Sequence, residues 1–143
     1  MRALSRLSLV VSVVAVLTAC SSGNVFSLEV GDCFMDPEDG ATEVTDVEVV
    51  DYDEPHFNEV FHTFDLEGDE FPGNDAMQER IVEECFGAVF EDYIGQPYET
   101  SEVEVFPLTP TERSWDEADD RTVVCAGYVG TEELDASLQG SGR

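Results

Sequence analysis

The sequence predicts an α+β domain in which one main helix packs on a small antiparallel sheet of four to five strands. Short segments rich in β-branched and aromatic residues alternate in hydropathy and are separated by Gly, Pro and Asp. One longer segment instead repeats its apolar residues at helical spacing. The chain is 42% hydrophobic, and this apolar content favours a folded core despite a net charge of −27.

Five segments are predicted to be strands. In the central one, Val60, His62 and Phe64 alternate with Phe61 and Thr63. Because aromatic side chains occur on both of its faces, we expect both faces to be covered. In chain order the predicted strands are 25–35, 43–51, 57–66, 102–108 and 121–130.

The main helix is predicted over residues 75–94. Asp75 and Gln78 fit a capping box, and apolar residues from Met77 onward form one stripe. Gly95 and Pro97 are typical of a helix end. Residues 111–120 are predicted to be a polar connection, and residues 131–143 a weakly structured tail with a frayed end.

The first 19 residues are typical of a secretory signal peptide. Arg2 and Arg6 precede an apolar run that is shorter than the ~20 residues a spanning helix needs. Cys20 follows Leu-Thr-Ala, which resembles the lipobox of bacterial lipoproteins. That resemblance implies cleavage before Cys20, diacylglycerol on its sulfur and a stable anchor at the outer face of the cytoplasmic membrane. Residues 20–29 are then the lipidated cysteine and a tether, and residues 30–140 the domain.

The charge of the chain excludes some classes of partner. All 33 acidic residues follow residue 19, together with only four of the six arginines, and the chain has no lysine. Such a surface repels nucleic-acid phosphates and anionic lipid headgroups. None of its acidic clusters has the EF-hand spacing, so a solvated acidic face is favoured over a calcium site. The acidity itself would reflect either a salty habitat or a GC-rich genome.

Three cysteines remain after Cys20. Thiols outside the cytoplasm tend to be oxidised, and three cysteines allow one disulfide and one free thiol. We predict that Cys85 pairs with Cys125, which would tie the helix to the last strand. This bond should stabilise the fold by ~3–5 kcal/mol.

Several short motifs occur in a characteristic order along the chain. They are Gly31-Asp32-Cys33-Phe34, Glu54-Pro55-His56, Glu59-Val60-Phe61, Phe71-Pro72-Gly73, Leu108-Thr109-Pro110-Thr111, Ser114-Trp115 and Val124-Cys125. Their order resembles the actinobacterial septum formation family, whose members are typically envelope lipoproteins or single-pass proteins. The resemblance implies a link with the division septum and no known reaction.

The chain departs from the family pattern at Tyr52. The pattern has a cysteine at this position, four residues before the histidine of the Pro-His pair. That cysteine would pair with the one at position 33. The departure therefore implies that Cys33 is a free thiol, buried or nearly so, and it supports the pairing of Cys85 with Cys125.

His56, Glu59 and Trp115 are the candidate residues of a binding or structural motif. A histidine that fixes the turn after Pro55 is favoured over a soft metal site of Cys33, His56 and His62, so no metal ligand is predicted. Trp115 either contacts a partner or covers the helix with its ring. The chain contains neither Gly-x-Ser-x-Gly nor Ser-x-x-Lys, and we predict no catalytic residue.

These observations predict a lipid-anchored, non-enzymatic binding module of the cell envelope. Its partners would be the membrane, through the anchor, and envelope or division proteins, and it would need no cofactor. The alternative is an extracytoplasmic lipoprotein that binds a ligand or a metal around His56.

Overall fold

The computed structural model describes residues 21–37 and 44–143. The predicted signal peptide and Cys20 lie outside these residues. Within them, no helix combines the length and the apolar character needed to span a bilayer. The strands are β1 (Ser21–Asn24), β2 (Cys33–Phe34), β3 (Asp46–Val50), β4 (Asn58–Asp65), β5 (Glu104–Leu108) and β6 (Thr122–Tyr128), and the helices are α1 (Asn74–Cys85), α2 (Ala88–Ile94) and α3 (Glu112–Ala118).

The strands form one sheet in the order β1-β3-β2-β4-β6-β5, and every neighbouring pair is antiparallel. The predicted α+β class and small antiparallel sheet are therefore confirmed. The strand predicted to be central, β4, lies inside the sheet between β2 and β6. Residues 21–24, expected to be part of a tether, form β1 and add a sixth strand at one edge.

Both faces of the central strands are buried. In β6, Val123 and Cys125 belong to the core beneath the helices, whereas Val124 and Ala126 belong to a second core on the opposite face. The alternation follows from the two-residue period of a strand. The second core also contains Val25 from the turn after β1, so this end of the sheet curls over the opposite face.

The single main helix is not confirmed, because the predicted segment 75–94 divides into α1 and α2. The break falls at Gly87, where an added Cβ would lie only 2.9 Å from the carbonyl oxygen of Glu83. The predicted polar connection also contains a helix, α3. Thr111 and Ser114 form a capping box at its start, and Asp119 ends it in the left-handed conformation with a φ of 55°.

The predicted disulfide is confirmed. Cys85 at the end of α1 is bonded to Cys125 in β6, with the two Cα atoms 5.7 Å apart. The bond ties the helical layer to the sheet within the core beneath the helices. Cys33 is free and buried, as expected.

The segment 131–143 is held on the core, although the sequence predicts a weak tail. Leu134 and Leu138 are both almost fully buried. The Gly140 N–H donates to the Tyr93 carbonyl at 2.7 Å. Gly127 in β6 permits this approach, since a Cβ there would lie 2.9 Å from the Leu138 side chain. The sequence predicts a weak tail because the segment has few apolar residues. Its backbone hydrogen bonds to distant residues leave no local pattern in the sequence.

Candidate functional site

Three reactive side chains meet where β2, β4 and the C-terminal segment come together. Cys33 of β2 pairs directly with Glu59 of β4. His56, just before β4, forms an isolated bridge with Leu134 through two backbone hydrogen bonds of 3.1 and 2.7 Å. The Cys33 sulfur, a His56 ring nitrogen and a Glu59 carboxylate oxygen all lie within 4.8 Å of one another. We call Cys33, His56 and Glu59 the buried cluster.

The buried cluster has almost no contact with solvent. His56 and Glu59 are 0% exposed, and Cys33 is 1% exposed. Glutamate is rarely buried to this extent without partners, because removing its charge from water costs several kcal/mol. The position of Glu59 therefore depends on the groups that surround its carboxylate.

The Glu59 carboxylate accepts three hydrogen bonds. The Tyr93 hydroxyl of α2 and the Ser137 hydroxyl both donate to Oε1 at 2.7 Å. The Leu138 N–H donates to Oε2, also at 2.7 Å. Glu59 thus joins the sheet, a helix and the C-terminal segment through one side chain.

The His56 ring has one satisfied nitrogen. Its Nδ1 lies 2.9 Å from the Glu54 carbonyl oxygen, and since a carbonyl only accepts, Nδ1 carries the proton. This bond fixes the turn after Pro55, which is the structural role the sequence favoured. Nε2 has no hydrogen-bond partner in the described part of the chain and lies 3.9 Å from Glu59 Oε2.

Burial, together with the nearby carboxylates of Glu59 and Asp32, raises the pKa of the Cys33 thiol to about 12. Burial also raises the pKa of the Tyr93 phenol, and its hydrogen bond to Glu59 adds to this effect. At neutral pH both groups keep their protons. Without a cation nearby, Cys33 is therefore a poor nucleophile.

This raised pKa predicts a loss of stability in alkali. The unfolded chain releases the Cys33 proton near pH 9, its ordinary value of 9.0, whereas the folded protein holds it to about pH 12. Between pH 9 and about pH 12 the folded state therefore binds one more proton than the unfolded state. The free energy of unfolding is highest below pH 9 and falls across this window by about 1 kcal/mol per pH unit.

The check is a titration of thiolate absorbance, taken as the difference between wild type and Cys33→Ser, with chelator present. We expect no thiolate signal near pH 9 in the native protein and a midpoint near pH 9 in urea. A native midpoint near pH 9 would contradict the prediction.

His62 does not join the buried cluster. Its Nε2 lies 3.7 Å from Glu84 Oε2 of α1, and both side chains are about a quarter exposed. The soft metal site of Cys33, His56 and His62, the alternative that the sequence disfavoured, therefore does not form. His62 lies three residues beyond Glu59 along β4, about 10 Å at the rise of a strand, and its side chain faces α1.

Trp115 lies inside the fold, in agreement with the structural alternative. It is 1% exposed, and its ring meets that of Phe71 edge-on with the centroids 5.8 Å apart. The Arg121 guanidinium covers the ring, with its Cζ 3.7 Å from the ring centroid. The indole N–H donates to the Asp69 carbonyl at 3.3 Å. Trp115 is thus unable to contact a partner directly.

Two residues that complete the cluster's surroundings had no signal in the sequence. Tyr93 falls on the apolar stripe of the predicted helix, and Ser137 lies in the predicted tail. They are 34 and 78 residues from Glu59. Only the packed fold brings their hydroxyls to the carboxylate.

The opposite side of the sheet carries an open cleft of about 180 Å³. Val25 and Phe26 line it on one side, and Phe106 and Pro107 of β5 line it on the other. Phe26 is 41% exposed, which is unusual for a large aromatic side chain. This is an accessible apolar surface on an otherwise acidic domain.

Comparison with known proteins identifies one family. The family described as Septum formation matches residues 30–142. No curated protein and no solved structure is significantly similar to the chain.

Proposed function

The chain belongs to the septum formation family, and on that premise we propose that it is a lipid-anchored envelope protein acting as a non-enzymatic binding module at the division septum. The match across the whole described domain carries this proposal. The lipobox-like sequence before Cys20 supports anchoring at the outer face of the cytoplasmic membrane.

The burial of the reactive groups favours binding over catalysis. The members of the buried cluster are at most 1% exposed, so a dissolved substrate has no path to them. The cleft lined by Phe26 and Phe106 is open and offers apolar contact instead. An exposed aromatic side chain in such a place is typical of a surface that binds another protein.

The charge of the surface favours partners with basic segments. Several of the few arginines already face carboxylates: Arg80 pairs with Glu83 and Glu84, and Arg143 pairs with Glu132 at 2.8 Å. The remaining acidic side chains outnumber them greatly. Charge complementarity would therefore speed association with a cationic partner at low salt.

The test is the position of the protein in dividing cells. The full chain is fused, by a linker after Arg143, to a fluorescent protein that folds outside the cytoplasm. We expect this fusion to be enriched at the division site. Cys20→Ala should abolish incorporation of labelled palmitate and release the protein from the membrane fraction. Ser22→Ala, two residues away, is the matched control and should preserve both.

An even distribution of the wild-type fusion around the membrane would contradict the septal role. Unchanged palmitate labelling of Cys20→Ala would contradict the lipid anchor separately. The two parts of the proposal therefore fail independently.

A further inference from the structure

The buried cluster brings together three electron-pair donors of different elements: sulfur, nitrogen and oxygen. The donor atoms of Cys33, His56 and Glu59 all lie within 4.8 Å of one another. Buried polar atoms in proteins are almost always hydrogen-bonded, so an orphaned atom at the centre of such a group needs an explanation.

The orphaned atom is His56 Nε2. The proton on Nδ1 is used by the Glu54 carbonyl, so the neutral ring presents a lone pair at Nε2. This nitrogen is fully buried and has no hydrogen-bond partner among residues 21–37 and 44–143. Its nearest carboxylate oxygen, Glu59 Oε2, is 3.9 Å away, beyond hydrogen-bond distance.

The other two donor atoms also have unused capacity. Glu59 Oε1 accepts two hydrogen bonds, whereas Oε2 accepts only one, from Leu138. The Cys33 sulfur has only a weak contact, 3.8 Å from the Gly31 carbonyl oxygen. The three side chains therefore bring a sulfur, a nitrogen and an oxygen atom within 4.8 Å of one another, each with capacity left to bind an ion.

We propose that Cys33, His56 and Glu59 bind one zinc ion, which holds β2, β4 and the C-terminal segment together. Thiolate, imidazole and carboxylate are the ligand types of protein zinc sites. The two positive charges of the ion would balance the thiolate and the carboxylate, which are otherwise costly to bury. Three protein ligands leave one position of a tetrahedral zinc ion, which a water molecule enclosed with the ion would fill. Because the ligands are closed to solvent, we assign the ion a structural role.

The surroundings of the cluster match those of a metal site. A histidine ligand usually donates its other ring N–H to a carbonyl or carboxylate, as His56 does to Glu54. A carboxylate ligand is usually held by further hydrogen bonds, as Glu59 is by Tyr93 and Ser137. These bonds orient both ligands before any ion arrives.

The experiment uses the full chain carrying Cys20→Ala, which prevents acylation and removes a competing thiol. The protein is unfolded in chelator, and zinc or cobalt(II) is supplied during refolding because the site is closed. Millimolar magnesium occupies the surface carboxylates. We expect one zinc per chain by elemental analysis. We expect the cobalt protein to show a thiolate-to-metal charge-transfer band and the d–d bands of tetrahedral geometry.

Since Cys85 and Cys125 are joined in a disulfide, only Cys33 can supply that thiolate. Cys33→Ser should remove the charge-transfer band and weaken zinc binding by at least about 100-fold. His62→Ala is the matched control, because His62 is the other histidine and lies outside the cluster; it should bind zinc as the wild type does.

The spectrum of the wild-type cobalt protein needs no variant to fold, so it tests the proposal even where Cys33→Ser is unstable. Cobalt bound without a charge-transfer band would overturn the proposal, as would the absence of stoichiometric zinc. Equal weakening by His62→Ala would also overturn it, because binding would then be at the acidic surface. In each of these cases the cluster has only its structural roles: His56 fixes the turn after Pro55, and Glu59 joins β4, α2 and the C-terminal segment.

Discussion

Replacing Cys85 and Cys125 together by alanine is expected to lower the free energy of unfolding by about 4 kcal/mol. The disulfide closes a loop with a sequence separation of 40 residues. In the chain-entropy account, a loop of this length confers about 4 kcal/mol by restricting the unfolded chain. The bond also lies in the core, where Cys85 and Cys125 are both 0% exposed, so the substitution removes buried sulfur contacts as well.

Urea unfolding of the two proteins, with and without reductant, measures this effect. Reductant should destabilise the wild type to about the level of the double variant and leave the double variant unchanged. The double variant therefore serves as the control for any effect of reductant on Cys33. A loss below about 1 kcal/mol would show that the unfolded chain is already restricted there.

Glu59→Ala is expected to cost about 3–5 kcal/mol, measured in chelator so that no metal contributes. The substitution leaves the Tyr93 hydroxyl, the Ser137 hydroxyl and the Leu138 N–H without their acceptor. Removing one partner from a buried charged network costs far more than its net contribution when intact, because the remaining groups stay buried and unpaired.

The chain offers a matched control for this substitution. Glu104 accepts a 2.7 Å hydrogen bond from the Tyr128 hydroxyl, the same chemical pair as Glu59 and Tyr93, but at the surface. Glu104→Ala should cost less than about 1 kcal/mol, because water replaces the lost acceptor. Equal losses for the two variants would mean that burial of the Glu59 carboxylate has no energetic consequence.

The part of the fold that was predictable is the part with local periodicity. Alternation identified β4 and β5, runs of valine identified β3 and β6, and helical spacing identified the segment that forms α1 and α2. Helix α3 was missed because Trp115 is its only large apolar residue, although Thr111 and Ser114 at its start carried a capping signal. The helix was predicted to run through Gly87, although glycine is a poor helix former, and the structure divides it there.

The site was predictable only in part, for a similar reason. Cys33, His56 and Glu59 were each singled out by motif, but only the antiparallel register of β2 and β4 places Cys33 opposite Glu59. His62 was considered beside Cys33 and His56 for its ligand chemistry alone, and the position of its side chain against α1 could not be read from the sequence. The partners of Glu59 come from sequence positions 34 to 79 residues away.

If Cys20 carries the proposed lipid, the position of β1 sets how far the domain reaches from the membrane. Residues 21–24 pair with β3, and Val25 and Leu28 are buried, so the residues directly after Cys20 belong to the sheet and not to a free tether. A flexible tether of ten residues would have added about 15–20 Å of reach. With a lipid on Cys20, the β1 edge would instead lie near the bilayer, as close as repulsion between the acidic surface and anionic headgroups allows. Its partners would then have to lie within its own width, roughly 35 Å, of the membrane.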